Sequence, residues 1–97
     1  MNVLIRDTAY ADLQEIYEWI ARDRPSAAPA VIERIFESLD RLAVFPFMGH
    51  PGSVAETSEW VVPGIPFIIV YEIDEPAQEL RVVAVFHSRQ DRDLENE

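Results

Sequence analysis

Two amphipathic segments of helical length, joined by only a few residues around Pro25, constrain the fold of this chain more than any other feature. Apolar residues recur in both segments at the spacing that places them on one face of a helix. In the first segment they are Ala9, Leu13, Ile16 and Ile20, and in the second they are Ala28, Ile32, Ile35, Leu39 and Leu42. A short linker between two helices predicts an antiparallel hairpin with one apolar side.

Polar residues and prolines set the predicted ends of these helices. Asp7 or Thr8 can cap the first helix, and Ser26 can cap the second, because their side-chain oxygens accept backbone N–H groups. The residue before a proline is disfavoured in the helical region, so the first helix should end at Pro25 and the second before Pro46. We therefore expect the two helices to fill most of the chain between Asp7 and Pro46.

Shorter runs of β-branched and aromatic residues predict strands. These runs are Asn2–Arg6, Glu59–Val62, Phe67–Ile73 and Leu80–Phe86. The order β-α-α-β-β-β predicts an α+β fold, with the two-helix hairpin packed on one face of a small, mainly antiparallel sheet. A length of 97 residues fits one domain, and we expect it to span residues 1–97 with a charged, frayed tail over about residues 88–97.

Charge and composition exclude several classes of function. The net charge is −10, and all eight basic residues are arginines. Because affinity for nucleic acid comes largely from cations that neutralise phosphates, we expect no direct binding of free nucleic acid. The chain has no cysteine, and no apolar run is long enough to cross a membrane. We expect a cytoplasmic protein with no cofactor, no metal and no membrane association.

The segment Met48–Trp60 contains two of the three glycines and one of the two histidines. Gly49, Pro51 and Gly52 are residues that turns favour, so the segment is interpreted first as a connector between the second helix and the sheet. A histidine can also exchange protons near neutral pH, so His50 stays open as a site residue.

Several stretches, in the same order along the chain, resemble the RelE/ParE toxins of bacterial toxin–antitoxin modules. Four stretches carry the resemblance. They are the first helix and turn (Ala11–Tyr17 and Asp23–Ala28), the end of the second helix (Leu42 and Phe45–Gly49), the paired central strands (Val61–Tyr71) and the end of the last strand (Val83–Gln90). The resemblance spans nearly the whole chain and leans towards the ParE side.

The resemblance implies a toxin of a type II module that a cognate antitoxin neutralises. ParE-like members poison DNA gyrase, whereas RelE-like members cut messenger RNA on the ribosome, so the target is gyrase or the ribosome. A decayed toxin that only binds antitoxin is a third reading. The antitoxin is expected to lie across the hairpin and sheet and to carry several Lys or Arg, because this chain is acidic. The predicted antitoxin contacts are Leu13, Tyr17, Ile20, Ile32, Ile35 and Phe36.

Cutting RNA would require a base, an acid and cations that hold the phosphate. The candidates are Glu59, Arg81, His87 and Arg89. In the family pattern, arginine commonly stands where this chain has His50 and Ser58, so two cations of a cutting site are lost. A gyrase poison tolerates that loss better, since it transfers no proton. For that function, the predicted target contacts are His87, Arg89, Arg81 and His50.

Some of these residues also have a purely structural interpretation. Arg81 can simply pair with Glu79 or Glu72, and His87 can simply end its strand at the sheet edge. Alternation along the last strand places Val83, Val85 and His87 on one face, with His87 at the rim near Arg89 and near residues around Glu59. The two tryptophans are interpreted as packing residues.

Overall fold

The computed structural model of the protein describes residues 1–89. Most of the predicted charged tail, residues 90–97, lies outside the described residues. In chain order the elements are β1 (Asn2–Ile5), α1 (Asp7–Asp23), α2 (Ala27–Val44), a 3₁₀ turn (Pro46–Met48), β2 (His50–Pro51), β3 (Ser58–Val61), β4 (Phe67–Asp74) and β5 (Glu79–His87). Every predicted helix and strand is present, and their ends differ from the prediction by only a residue or so.

The strands form one sheet in the order β1-β5-β4-β3-β2. β1 runs parallel to β5, and the other neighbouring pairs are antiparallel. The predicted α+β fold is confirmed. The sequence did not predict β2, because a two-residue strand that contains a proline carries no alternating pattern.

The hairpin packs on one face of the sheet, and the apolar side chains meet between the two layers. Both predicted stripes contribute, and the largest fully buried side chains include Ile35 and Leu42 of α2. The sheet contributes Tyr71, Ile69, Leu80 and Val82, and Val62, the residue after β3, joins them. Burying a side chain of this size stabilises the fold by roughly 1.5–3 kcal/mol.

The predicted helix caps are wrong. α1 begins at Asp7 after Arg6, and no side chain there makes a capping hydrogen bond. Ser26 precedes α2, but its own backbone is helical and its hydroxyl makes no capping bond. The Thr8 hydroxyl instead donates to the Val83 carbonyl oxygen at 2.8 Å. The hydroxyl thus satisfies the edge of a strand rather than the end of a helix.

A β-bulge interrupts the pairing of β4 with β5. Val70 pairs with Ala84 and Tyr71 pairs with Val82, so Val83 has no partner residue on β4. Beyond the bulge, Val85 and His87 face α1, as the alternation predicted. Val83 is the extra residue at which the alternation is interrupted. Within residues 1–89, neither helix has the length and apolar character needed to span a membrane.

Candidate functional site

The connector is anchored to the core by the Tyr71 hydroxyl. This hydroxyl donates to the Pro46 carbonyl oxygen at 2.8 Å and accepts the Gly49 N–H at 3.1 Å. A Cβ on Gly49 would lie 2.5 Å from the same hydroxyl, so the close approach requires glycine. Burial raises the pKa of Tyr71 above its ordinary value, although the Gly49 N–H opposes that shift. We call Pro46, Gly49 and Tyr71 the connector anchor.

His50, in β2, lies against Glu59 of the neighbouring strand. His50 Nε2 lies 4.0 Å from Glu59 Oε1, and the histidine side chain is 61% exposed while that of Glu59 is 14% exposed. The second carboxylate oxygen of Glu59 accepts the Ser53 N–H at 3.4 Å. The carboxylate therefore helps to hold the loop between β2 and β3, which supports the connector interpretation of this segment.

Arg81 is engaged by two carboxylates. Its Nη2 lies 2.5 Å from Asp74 Oδ2 and 3.1 Å from Glu79 Oε1. The hydrogen bonds to Asp74 and Glu79 raise the pKa of Arg81, while the Ala77 N–H and then Arg81 lower the pKa of Asp74. The predicted pairing with Glu79 is confirmed, whereas Glu72 pairs with Arg6 at 3.4 Å. Arg81 therefore brings no unneutralised positive charge to a phosphate.

His87 ends β5 between two aromatic rings. The ring centroids of Phe67 and Trp19 lie 5.2 Å and 5.9 Å from that of His87, both in edge-to-face geometry. His87 Nδ1 accepts the Arg89 N–H at 2.9 Å, so the proton of the neutral imidazole lies on Nε2. Trp19 is 56% exposed, and Arg89, two residues after His87 in the turn that follows β5, is also exposed. We call Trp19, His87 and Arg89 the rim, and Phe67, which is buried, packs against it from the core.

The structure does not bring the predicted catalytic residues together. Trp60 faces α2, where its Nε1 donates to the Ser38 hydroxyl at 3.2 Å, so Glu59 projects from the opposite face of the sheet. His87 is on the helix side, and β4 separates β3 from β5. The expectation that His87 lies near the residues around Glu59 is therefore wrong. Within residues 1–89, no group of three or more possible metal ligands is clustered.

A cleft between α1 and β5 was missed by the sequence analysis. β1 pairs only with residues Glu79–Val82 of β5, so the edge of β5 beyond Val82 faces α1 instead. There Val85 N–H donates to Asp12 Oδ2 at 3.0 Å. The cleft has a volume of about 540 Å³ and is lined by Asp12, Glu15, Ile16, Glu18, Trp19, Arg22 and Val85. The difference in length between the predicted first and last strands was the sequence feature that could have indicated this cleft.

The predicted antitoxin contacts differ in exposure. Leu13 and Ile35 are buried in the core, so they hold the hairpin against the sheet and offer no surface to an antitoxin. Ile20 and Ile32 are half-buried. Tyr17 is 42% exposed and Phe36 is 39% exposed, which leaves aromatic surface on both helices.

The comparisons with known proteins decide the family. A model of the ParE toxin of the type II toxin–antitoxin system parDE matches residues 3–92. The chain belongs to the ParE toxin family. It is 38% identical to "Putative toxin Y4kP" of Sinorhizobium fredii over 78 residues, which is 80% of this chain and 78% of the relative.

Solved structures of other toxin–antitoxin proteins share the ParE fold. A chain of the chromosomal ParDE system of P. aeruginosa aligns with a TM-score of 0.79 at 20% identity, covering 90% of this chain and 95% of the other. The isolated E. coli RelE toxin aligns with a TM-score of 0.66 at 11% identity, covering 98% and 92%. At these identities the likeness concerns the fold. With the family match, it makes this protein a type II toxin of the ParE/RelE superfamily.

Proposed function

We propose that this ParE-family toxin arrests growth by binding and inhibiting DNA gyrase, and that it does not cut RNA. One observation carries the proposal: the residues that a nuclease would combine lie on two different faces of the sheet. Glu59 is on the face away from the helices, and His87 is on the helix side in edge-to-face contact with Trp19 and Phe67.

The individual residues are also poorly disposed for RNA cleavage. A histidine that donates a proton as a general acid must carry protons on both nitrogens, and His87 would then lose the Arg89 N–H bond to Nδ1. Arg81 is held between Asp74 and Glu79, so it offers little stabilisation to a phosphate. A surface that binds gyrase needs neither the proton transfer nor the phosphate clamp.

The rim is the surface that we assign to the target. Trp19 and Arg89 are exposed there, and aromatic and arginine side chains are the residue types that most often dominate binding energy in protein interfaces. His50, by contrast, lies beside Glu59 in the connector and Arg81 is neutralised, so both would contribute less to target binding.

The antitoxin is the second partner, and the outer surface of the hairpin is its proposed principal contact. Exposed Tyr17 and Phe36 give that surface an aromatic character suited to an amphipathic segment. A net charge of −10 favours an antitoxin arm with several Lys or Arg. The same charge predicts no measurable binding of naked RNA at physiological salt, which a fluorescence-anisotropy titration tests.

Two assays with the purified toxin, run side by side, test the target. One measures supercoiling of relaxed plasmid by DNA gyrase, and the other measures cleavage of messenger RNA on translating ribosomes. We expect inhibition of supercoiling and intact messenger RNA. Cleavage of the message with normal supercoiling would establish the nuclease function, and a protein inactive in both assays that still binds its antitoxin would be a decayed toxin.

A further inference from the structure

We propose that the cleft between α1 and β5 binds an arginine side chain carried by an extended segment of the antitoxin. The inference rests on the proposed function for the antitoxin as the carrier and for the rim as the surface that its binding would cover. The ligand of the cleft would then be a planar cation, the guanidinium group, and it would lie directly beside the rim.

The cleft exists because β5 is longer than its neighbour. β1 has four residues and β5 has nine, so α1 crosses the edge of β5 where a longer β1 would have paired. Thr8 and Asp12 occupy the hydrogen-bonding groups of Val83 and Val85 on that edge. An incoming segment therefore finds the Val83 carbonyl and the Val85 N–H of this edge already bonded, and we expect side chains in the cleft to supply its main contacts.

The walls of the cleft select a cation. Three of its lining residues, Asp12, Glu15 and Glu18, are acidic and one, Arg22, is basic, so its formal charge is −2. Among the described ion pairs, none joins Arg22 to these carboxylates, although Glu18 is one helical turn away. Asp12 uses one carboxylate oxygen for the Val85 N–H, which leaves the other oxygen for an incoming donor.

Trp19 favours arginine among the possible cations. Its indole is 56% exposed and forms one wall of the cleft. A guanidinium can stack on an indole face and donate several hydrogen bonds in its plane to a carboxylate. The other candidate occupants fit less well, because a second copy of this chain would bring another −10 charge and a nucleic acid would bring phosphates.

A ligand in the cleft would also reach the functional surface. Trp19 lies in edge-to-face contact with His87, so a side chain stacked on the indole lies next to the rim. Occupation of the cleft would cover the surface that we assign to gyrase, which gives the antitoxin a direct way to neutralise the toxin.

The test uses purified toxin and synthetic probes. The probe is a capped five-residue peptide with leucine at both ends and a central arginine, and its control carries citrulline, the uncharged isostere of arginine, at the centre. The readout is the indole N–H resonance in ¹⁵N-edited NMR spectra. Trp60 serves as an internal control, because its indole is bonded to Ser38 and lies away from the cleft.

We expect the arginine peptide to shift the Trp19 resonance, to leave that of Trp60 in place and to bind more weakly as salt is added. The citrulline peptide should not shift either resonance. The double substitution Glu15→Gln and Glu18→Gln should weaken binding about fivefold, as the loss of two exposed charge contacts would. The matched substitutions Glu33→Gln and Glu37→Gln remove the same charge from α2, outside the cleft, and should change binding much less.

Three results would overturn the inference: an unmoved Trp19 resonance at millimolar arginine peptide, equal binding of the citrulline peptide, or equal losses in the two double variants. The measurement needs neither gyrase nor ribosomes, so its failure is distinguishable from failure of the proposed target. Conversely, a toxin that cuts RNA could still bind the arginine peptide.

Discussion

The connector anchor and the rim contrast in how their polar groups are used. In the anchor, the Tyr71 hydroxyl makes two hydrogen bonds inside the protein, and Gly49 has no room for a side chain. In the rim, Trp19 and Arg89 are exposed, and the His87 ring is in edge-to-face contact with Trp19 and Phe67. The anchor therefore maintains the fold, while the rim offers surface to other molecules. Mutations can separate these two roles.

The largest expected effect is from Gly49→Ala. The added Cβ would lie 2.5 Å from the Tyr71 hydroxyl and 2.7 Å from the Glu59 carbonyl oxygen, and the latter is backbone that cannot move aside easily. We expect a loss of about 2–3 kcal/mol in the free energy of unfolding, the range that overpacking costs in a well-packed region. Urea unfolding measures it, with Val54→Ala, at an exposed site of the same connector, as the control. Unchanged stability would show that the anchor is dispensable.

Tyr71→Phe should cost less, about 1–3 kcal/mol, since it removes only the hydroxyl and leaves the Gly49 N–H and the Pro46 carbonyl without their partner. Tyr10→Phe, at a tyrosine that is 55% exposed, is the matched control.

The raised pKa of Tyr71 adds a pH dependence with a defined sign. Its contribution to stability is fully present below the unfolded-state pKa of about 10 and is lost as pH rises through the folded-state value. The Phe variant should lack this alkaline loss.

Asp12→Ala tests the hydrogen bond that holds the open edge of β5 to α1, two residues before His87. The substitution leaves the Val85 N–H without the carboxylate that accepts it, which should cost about 1–2 kcal/mol. Amide hydrogen exchange at Val85 should accelerate in the variant. Glu15→Ala removes a carboxylate of the same cleft that makes no such bond, and exchange at Val85 should then stay as in the parent. Equal acceleration in both variants would contradict a specific role for Asp12.

The smallest effect is expected at Asp74, because its side chain is 30% exposed and water screens its pairing with Arg81. The lowered pKa of Asp74 means that its stabilising contribution is present above the unfolded-state pKa of about 4 and is lost as pH falls through the folded-state value. Asp74→Asn should therefore flatten the acid limb of the stability profile slightly. Glu75→Gln, in the adjoining turn, is the control, and an identical acid limb in parent and Asp74→Asn would contradict the assignment.

The fold was predictable from sequence because its elements carry strong local patterns. The stripes from Ala9 to Ile20 and from Ala28 to Leu42 define the helices, and the run Phe67–Ile73 defines a central strand. Each pattern follows from the periodicity of one element alone, and no knowledge of the partner is needed.

The site was less predictable because it depends on which elements become neighbours. The strand order puts β4 between Glu59 and His87, and no local pattern specifies that order. The bulge at Val83 and the bond from Thr8 to its carbonyl likewise depend on where α1 crosses the sheet. The prediction that Thr8 caps the first helix was wrong for the same reason, because its hydroxyl bonds to the distant Val83 carbonyl instead of a nearby helix N–H.

If the rim acts as a contact surface and transfers no proton, its substitution should change how well the toxin inhibits gyrase. The measurement is the supercoiling activity of gyrase in the presence of purified parent, His87→Ala and Arg89→Ala toxins. Melting temperatures of the three proteins separate loss of contact from loss of fold. We expect that the parent inhibits supercoiling, that His87→Ala inhibits partially and that Arg89→Ala, still folded, inhibits least, because arginine is favoured as an interface anchor. A folded Arg89→Ala variant that inhibits as well as the parent would contradict this account. So would messenger RNA cleavage by the parent that falls roughly 10²–10⁴-fold in His87→Ala, the loss expected on removing a general acid.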